Sequence, residues 1–157
     1  MVVSSAGWSD PLNEVLALVP HRRPFRFIDA LTRLDERGAE GRYRFRDDET
    51  FYAGHFPGNP ITPGVILIET MGQVAVVAHG IYLYGLEHSR AEIARHLTVF
   101  SDGEAEFMHM VRPGDEVHIR SELIFFRRKK IRSRVELRLA DGRVAATAVL
   151  SGVGAQS

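Results

Sequence analysis

Apolar residues recur along this chain with two periods, and the change between them separates helical from extended stretches. Leu12, Val15, Leu16 and Val19 follow Asp10-Pro11 at three- and four-residue spacing, which predicts a short amphipathic helix capped by Asp10 and ended by Pro20. Residues 25–31 read as a strand. Arg42-Tyr43-Arg44-Phe45-Arg46 alternates strictly, which turns the aromatic rings inward and the arginines outward. The longest apolar run, residues 65–84, contains no proline and follows Pro63. Proline suits the first position of a helix because its missing N–H would have had no partner there. Beyond that run, residues 96–100, 104–111, 116–126, 131–139 and 144–153 read as strands, with Pro113-Gly114-Asp115 and residues 140–143 as turns. One long helix among many antiparallel strands is an α+β arrangement in which a sheet wraps a helix. No repeat or linker interrupts it, so residues 1–157 read as a single domain with 1–9 as a flexible extension.

Composition narrows the function classes. The chain has 20 basic and 20 acidic residues, and this zero formal charge argues against a nucleic-acid partner. It has no cysteine, which excludes disulfides, thiolate nucleophiles and cysteine-based metal sites. Seven histidines are present, but no pair has a metal-ligand spacing; His21 reads as hydrogen-bonded to its neighbours, His79 as structural or exposed, and no metal site is expected. Residues 65–84 match the length of a membrane span. Glu69, Gln73 and His79 within the run favour a buried helix instead. The first residues lack the basic and apolar regions of a secretory signal, which makes a cytoplasmic location the expectation.

The candidate chemistry lies just before and inside the long helix. Gly54-His55-Phe56-Pro57-Gly58-Asn59-Pro60-Ile61-Thr62-Pro63-Gly64 holds three prolines and three glycines in eleven residues, a framework that can present one side chain at a chosen spot. Glu69 follows among Ile66, Leu67, Ile68 and Met71, and shares a helix face with Val65, Gly72 and Gln73. A carboxyl group in such surroundings has to be neutral, paired or hydrogen-bonded. An acid of this kind can protonate a leaving group while a neutral histidine takes a proton from carbon, so the pair suits elimination. The structural alternatives are a loop histidine that only packs and a helix glutamate that is only solvated.

Three blocks carry a resemblance. Val19-Pro20-His21-Arg22-Arg23-Pro24-Phe25-Arg26-Phe27-Ile28-Asp29 forms the first; residues 54–60, Pro63-Gly64 and Glu69-Thr70-Met71-Gly72-Gln73 the second; and Glu104-Ala105-Glu106-Phe107 with Val111-Arg112-Pro113-Gly114-Asp115 the third. In this order they resemble the FabZ-type 3-hydroxyacyl-[acyl-carrier-protein] dehydratases, over roughly residues 12–152. The resemblance implies a hotdog fold, with a sheet wrapped round a central helix. It also implies that His55 is the base and that Glu69, fourteen positions later, is the acid. Related dehydratase/isomerases carry aspartate at that position, so isomerase activity is not expected.

The further implications are finer. The Gly64 N–H would stabilise the developing thioester oxyanion at the positive end of the helix, and Gln73 would be a positioning residue. The acyl chain would lie along Ile61, Val65, Ile68, Gly72, Val76, Phe100 and Phe107, with Gly72 leaving space beside Glu69. The substrate would be an acyl-carrier-protein or coenzyme A thioester, with no cofactor, in fatty-acid, polyketide or polyene synthesis. The active unit would be a homodimer with shared active sites, alone or as a trimer of dimers. Arg127, Arg128, Lys129 and Lys130 belong to a run with six basic residues in eight positions. That run reads either as a solvated hairpin end or as a dock for an acidic carrier protein. Glu106, Met108 and His109 stand where basic residues are frequent in the family. The rival readings are a hotdog thioesterase and a non-catalytic partner subunit.

Overall fold

The computed structural model describes residues 7–156. Helix α1 (Pro11–Leu18) has proline in its first turn, as the spacing predicts, but the Asp10 side chain does not cap it. Asp10 instead accepts from Asn13 Nδ2 at 2.9 Å, and its own N–H goes to Glu14 Oε1 at 3.1 Å. The expected flexible extension covers 1–9; residues 1–6 lie outside the described residues, and Trp8 and Ser9 are tied down. Trp8 Nε1 donates to Tyr82 O at 3.0 Å, the Arg90 guanidinium lies 3.7 Å from the indole centre, and Ser9 bonds Glu14.

Strands β1 (Ala30–Leu34), β2 (Ala39–Arg44), β3 (His96–Phe107), β4 (Glu116–Arg127), β5 (Lys130–Leu139) and β6 (Val144–Gln156) form one sheet in the order β1-β2-β4-β5-β6-β3, with every pair antiparallel. Period-2 alternation puts Val117, Ile119, Ile131, Val135 and Leu137 on the inner face. Tyr43 and Phe45 point inward as expected. The sheet curls round a helix that runs without a break over Gly64–Tyr84 as α2 (Gly64–Gly72), a π-helical stretch (Gln73–Ala78) and α3 (His79–Tyr84). All six residues of the widened π turn are buried. The helix is long and apolar enough to span a membrane, yet 72% of its most apolar window is buried within the fold. Close approach is set at Gly152, where a Cβ would come within 2.4 Å of Val76 Cγ1. This is the α+β hotdog arrangement the resemblance implies.

The sheet differs from the periodicity reading in three places. Residues 25–29 are not in the sheet, because the Gln73 side chain takes the backbone groups of Phe25 and Phe27 that a ladder would use. Residues 96–100 and 104–107, expected as separate strands, are one strand with a register shift between Phe100 and Asp102; residues 108–111 fall outside it. A fourth helix, α4 (Arg90–Ala94), escapes the apolar periodicity altogether. Its signal is the capping box Ser89-x-x-Glu92, in which each side chain accepts from the other residue's backbone N–H.

Candidate active site

The loop carrying His55 is fastened at its base by an aromatic cluster. Phe27, Tyr43, Phe45 and Phe51 meet with centroids 5.0–6.4 Å apart, contacts worth about 0.5–1.5 kcal/mol each beyond burial. Tyr52 and Thr62, both buried, share a 2.6 Å hydroxyl hydrogen bond, and the Thr62 N–H reaches Val111 O at 2.8 Å. Between these anchors the chain turns sharply through Phe56 (φ 63°) and Gly58 (φ 80°). Phe56 therefore holds a left-handed conformation that non-glycine residues rarely adopt, a strain on the order of 1–2 kcal/mol.

This geometry decides the chemistry of His55. Its backbone N–H donates to Phe51 O at 3.0 Å, and its Nδ1 lies 2.7 Å from Ile61 O. A carbonyl oxygen only accepts, so Nδ1 carries a hydrogen, and in the neutral ring Nε2 then holds the lone pair. The ring is partly exposed, against Phe56. Its free nitrogen can take a proton from a bound molecule.

Glu69, on the second turn of α2, has a side chain 16% exposed. The carboxyl oxygen Oε1 accepts from Gln73 Nε2 at 2.9 Å, the i,i+4 pair that helical geometry places on one face. Gln73 is fully buried and satisfied at both ends: Nε2 also reaches Phe25 O at 2.9 Å, and Oε1 accepts from Phe27 N–H at 2.7 Å. It joins the acid to the amino-terminal segment. His21 Nε2 stands 3.4 Å from the same Oε1. Sequence spacing does not foretell that contact; the only signal is that His21 and Glu69 both lie in motif blocks. Within one chain, no hydrogen bond or ion pair joins His55 to Glu69 among the described residues.

Gly64 opens α2 behind Pro63, which provides no side-chain cap, and the first backbone N–H groups of a helix have no intrahelical acceptor. The Phe107 ring lies across Gly64; a Cβ there would sit 3.0 Å from Cζ. The tunnel expectation needs correction in two places. Gly72 leaves no open space, because the Phe100 ring fills it: a Cβ would come within 2.1 Å of Cζ. Val76 is buried under Gly152 in the core. Ile68 and Phe100 both line a cavity of about 260 Å³ beside the β3 bulge. Val65 is 71% exposed on the first helical turn, and Ile61 serves His55 through its carbonyl.

The basic run caps the β4–β5 hairpin, where Arg128 and Lys129 have φ of 50° and 62°. Arg127 stacks on Phe125, Lys129 Nζ donates to His96 Nε2 at 2.9 Å, and Lys130 pairs with Asp102 at 3.5 Å. His96 in turn packs against Tyr84, the last residue of the central helix. Within one chain the run therefore sits at the end of the helix opposite Gly64, about 30 Å away at 1.5 Å per residue. No cluster of three or more histidine and acidic side chains fit to hold a metal occurs among the described residues.

The FabA-like domain family matches residues 19–148. The 3-hydroxyacyl-[acyl-carrier-protein] dehydratase FabZ of Geotalea uraniireducens is 34% identical over 118 residues, 74% of this chain and 78% of that protein. The FabZ of Chloroflexus aggregans is 35% identical over 133 residues, 83% and 86% of the two chains. Among solved structures, the dehydratase heterocomplex ApeI:P of Xenorhabdus doucetiae aligns with TM-score 0.72 and 17% identity over 91% of both chains. A mutant thioesterase PA1618 from Pseudomonas aeruginosa aligns with TM-score 0.66 and 14% identity over 96% and 97%. At these identities the two structures attest the fold, which dehydratases and thioesterases share. Sequence identity over most of both chains is the sharper criterion, and by it this chain belongs to the FabA-like family, beside the FabZ dehydratases.

Proposed function

We propose that this protein dehydrates (3R)-3-hydroxyacyl thioesters, carried on acyl carrier protein, to trans-2-enoyl thioesters. The observation that carries this reading is the commitment of His55 Nδ1 to Ile61 O, which leaves Nε2 as a base in a chain of this family. His55 Nε2 takes the proton from the carbon alpha to the thioester. Glu69 gives its proton to the 3-hydroxyl, the C–O bond breaks, and water leaves. The Gly64 N–H faces the charge that grows on the thioester oxygen. A positioned acid or base of this kind contributes on the order of 10²–10⁴ in rate.

We assign the site to a homodimer in which the His55 of one chain works with the Glu69 of the other. Two features support this: among the described residues no hydrogen bond or ion pair joins the two side chains within one chain, and the outer edge of β3 is exposed. That edge carries Leu97, Val99, Phe100 and Phe107, each more than 40% exposed, with Met108 and Met110 beyond it. The whole chain acts as one domain, in the cytoplasm. The test follows enoyl absorbance as purified protein meets 3-hydroxyacyl thioesters on carrier protein and on coenzyme A. Enoyl formation that His55→Ala and Glu69→Gln both abolish is expected. Thiol release without enoyl product would replace the reading with a thioesterase, and activity that needs an added paralogue would make the chain a partner subunit.

A further inference from the structure

Glu69 has two oxygens, and the fold treats them differently. Oε1 faces Gln73 Nε2 at 2.9 Å and His21 Nε2 at 3.4 Å, whereas among the described residues no donor is placed on Oε2. The His21 ring is 22% exposed and stacks on Phe25, with its Nδ1 buried and without a partner. The charged groups facing it are Glu69 from the helix and Arg26 from its own segment. Burial pushes the imidazole below its usual value, Glu69 pulls it back and Arg26 adds to the depression, so the ring is neutral.

A neutral imidazole has one N–H and one lone pair. A buried N–H left bare is rarer in folded proteins than a bare acceptor, which puts the hydrogen on Nε2, the nitrogen 3.4 Å from Glu69 Oε1. We infer that His21 is a second positioning residue of the dehydratase: with Gln73 it holds Oε1 as an acceptor, so that Oε2 is the oxygen that carries and delivers the acidic proton. This rests on the dehydratase reading above. At 3.4 Å the contact is longer than a good hydrogen bond, and it tightens as Glu69 becomes a carboxylate. The donor thus favours the state in which the proton has left Oε2 for the departing hydroxyl. That is stabilisation gained on the way to the transition state.

Two measurements test this, one of them independent of turnover. Nitrogen-15 NMR of the His21 ring in the intact wild-type protein should show the Nε2–H tautomer; the Nδ1–H tautomer would overturn the proposal whatever the activity. In the enoyl assay, His21→Leu should lower kcat by about tenfold with KM little changed, the size expected for one hydrogen bond to a charged group. The basic limb of its pH profile should move to higher pH. His21→Gln, which retains a neutral donor near the Nε2 position, should recover most of the rate. Equal impairment in both variants, or an unmoved basic limb, refutes the positioning role. If the wild type forms no enoyl product, the dehydratase reading fails, and the tautomer still decides the His21–Glu69 geometry.

Discussion

His55 and His79 each give one ring nitrogen to a backbone carbonyl, and the regions around them make different things of the same bond. His55, in the loop before the helix, bonds Ile61 O at 2.7 Å through Nδ1 and keeps Nε2 at a partly exposed face. His79, at the start of α3, bonds Asp35 O at 2.8 Å through Nε2 and keeps Nδ1 in the core without a partner, at 0% exposure. Tyr82 stacks on it, Trp8 stacks on Tyr82, and Trp8 fills the space above Gly85, where a Cβ would come within 2.2 Å of the indole. Burial pushes His79 below its usual imidazole value. A locked tautomer is therefore not enough for catalysis. The free nitrogen also has to be reachable, and of these two rings His55 is partly exposed whereas His79 is not.

The largest expected contrast comes from removing each ring. His55→Ala should lower kcat by about 10²–10⁴ while leaving the denaturation midpoint near that of the wild type. His79→Ala should do the reverse, losing about 2–4 kcal/mol in urea titration through an unfilled core site while the folded fraction keeps its turnover. A His55→Ala protein with normal turnover would remove the base from the scheme.

Next in size is Gly72→Leu. The Phe100 ring occupies the space a side chain would need, so the substitution should cost about 1–3 kcal/mol by overpacking and force the half-exposed ring aside. The preferred acyl length should change with it, because Phe100 lines the cavity beside Ile68. An unchanged profile across C4 to C16 substrates would separate that cavity from the acyl site.

Stability against pH distinguishes the two rings at smaller scale. Below its ordinary value of 6.5, the unfolded chain binds a proton that buried His79 refuses, so stability rises with pH through that window and falls as the solution is acidified. His21, depressed by the same cause, adds in the same direction. His79→Gln can still donate to Asp35 O but cannot titrate, and should flatten the slope seen in thermal melts between pH 5 and 7. An unaltered slope would assign the effect to other groups. The smallest effect is expected from Trp8→Phe, which removes the Nε1 bond to Tyr82 O and should cost about 1 kcal/mol with no change in kcat.

How far the sequence could be read depended on the range of each cause. Alternation along Arg42–Arg46 placed Tyr43 and Phe45 correctly because a strand's two faces are defined by its own backbone. Pro63 located the helix start, and the motif residues marked His55 and Glu69 as the two candidate groups for the chemistry. The reading failed for residues 25–29, whose apolar pattern fits a strand, because their backbone partner is a side chain 46 positions away in Phe27 and Gln73. It failed again at Gly72, where a missing side chain suggests space and a ring from β3 supplies the filling.

Sequence alone determined the periods, the start of the helix and the identity and spacing of the two residues proposed as acid and base, since these rest on local backbone preference and on motif residues. The tertiary structure decided which nitrogen of His55 is free, which oxygen of Glu69 is held, and that Phe100 rather than empty space lies beside Gly72. Ile61 had to be folded back onto His55, and the amino-terminal segment and β3 had to be laid against the central helix, before those contacts existed. Only the closure of the sheet around the helix brings such distant residues within hydrogen-bonding and van der Waals range.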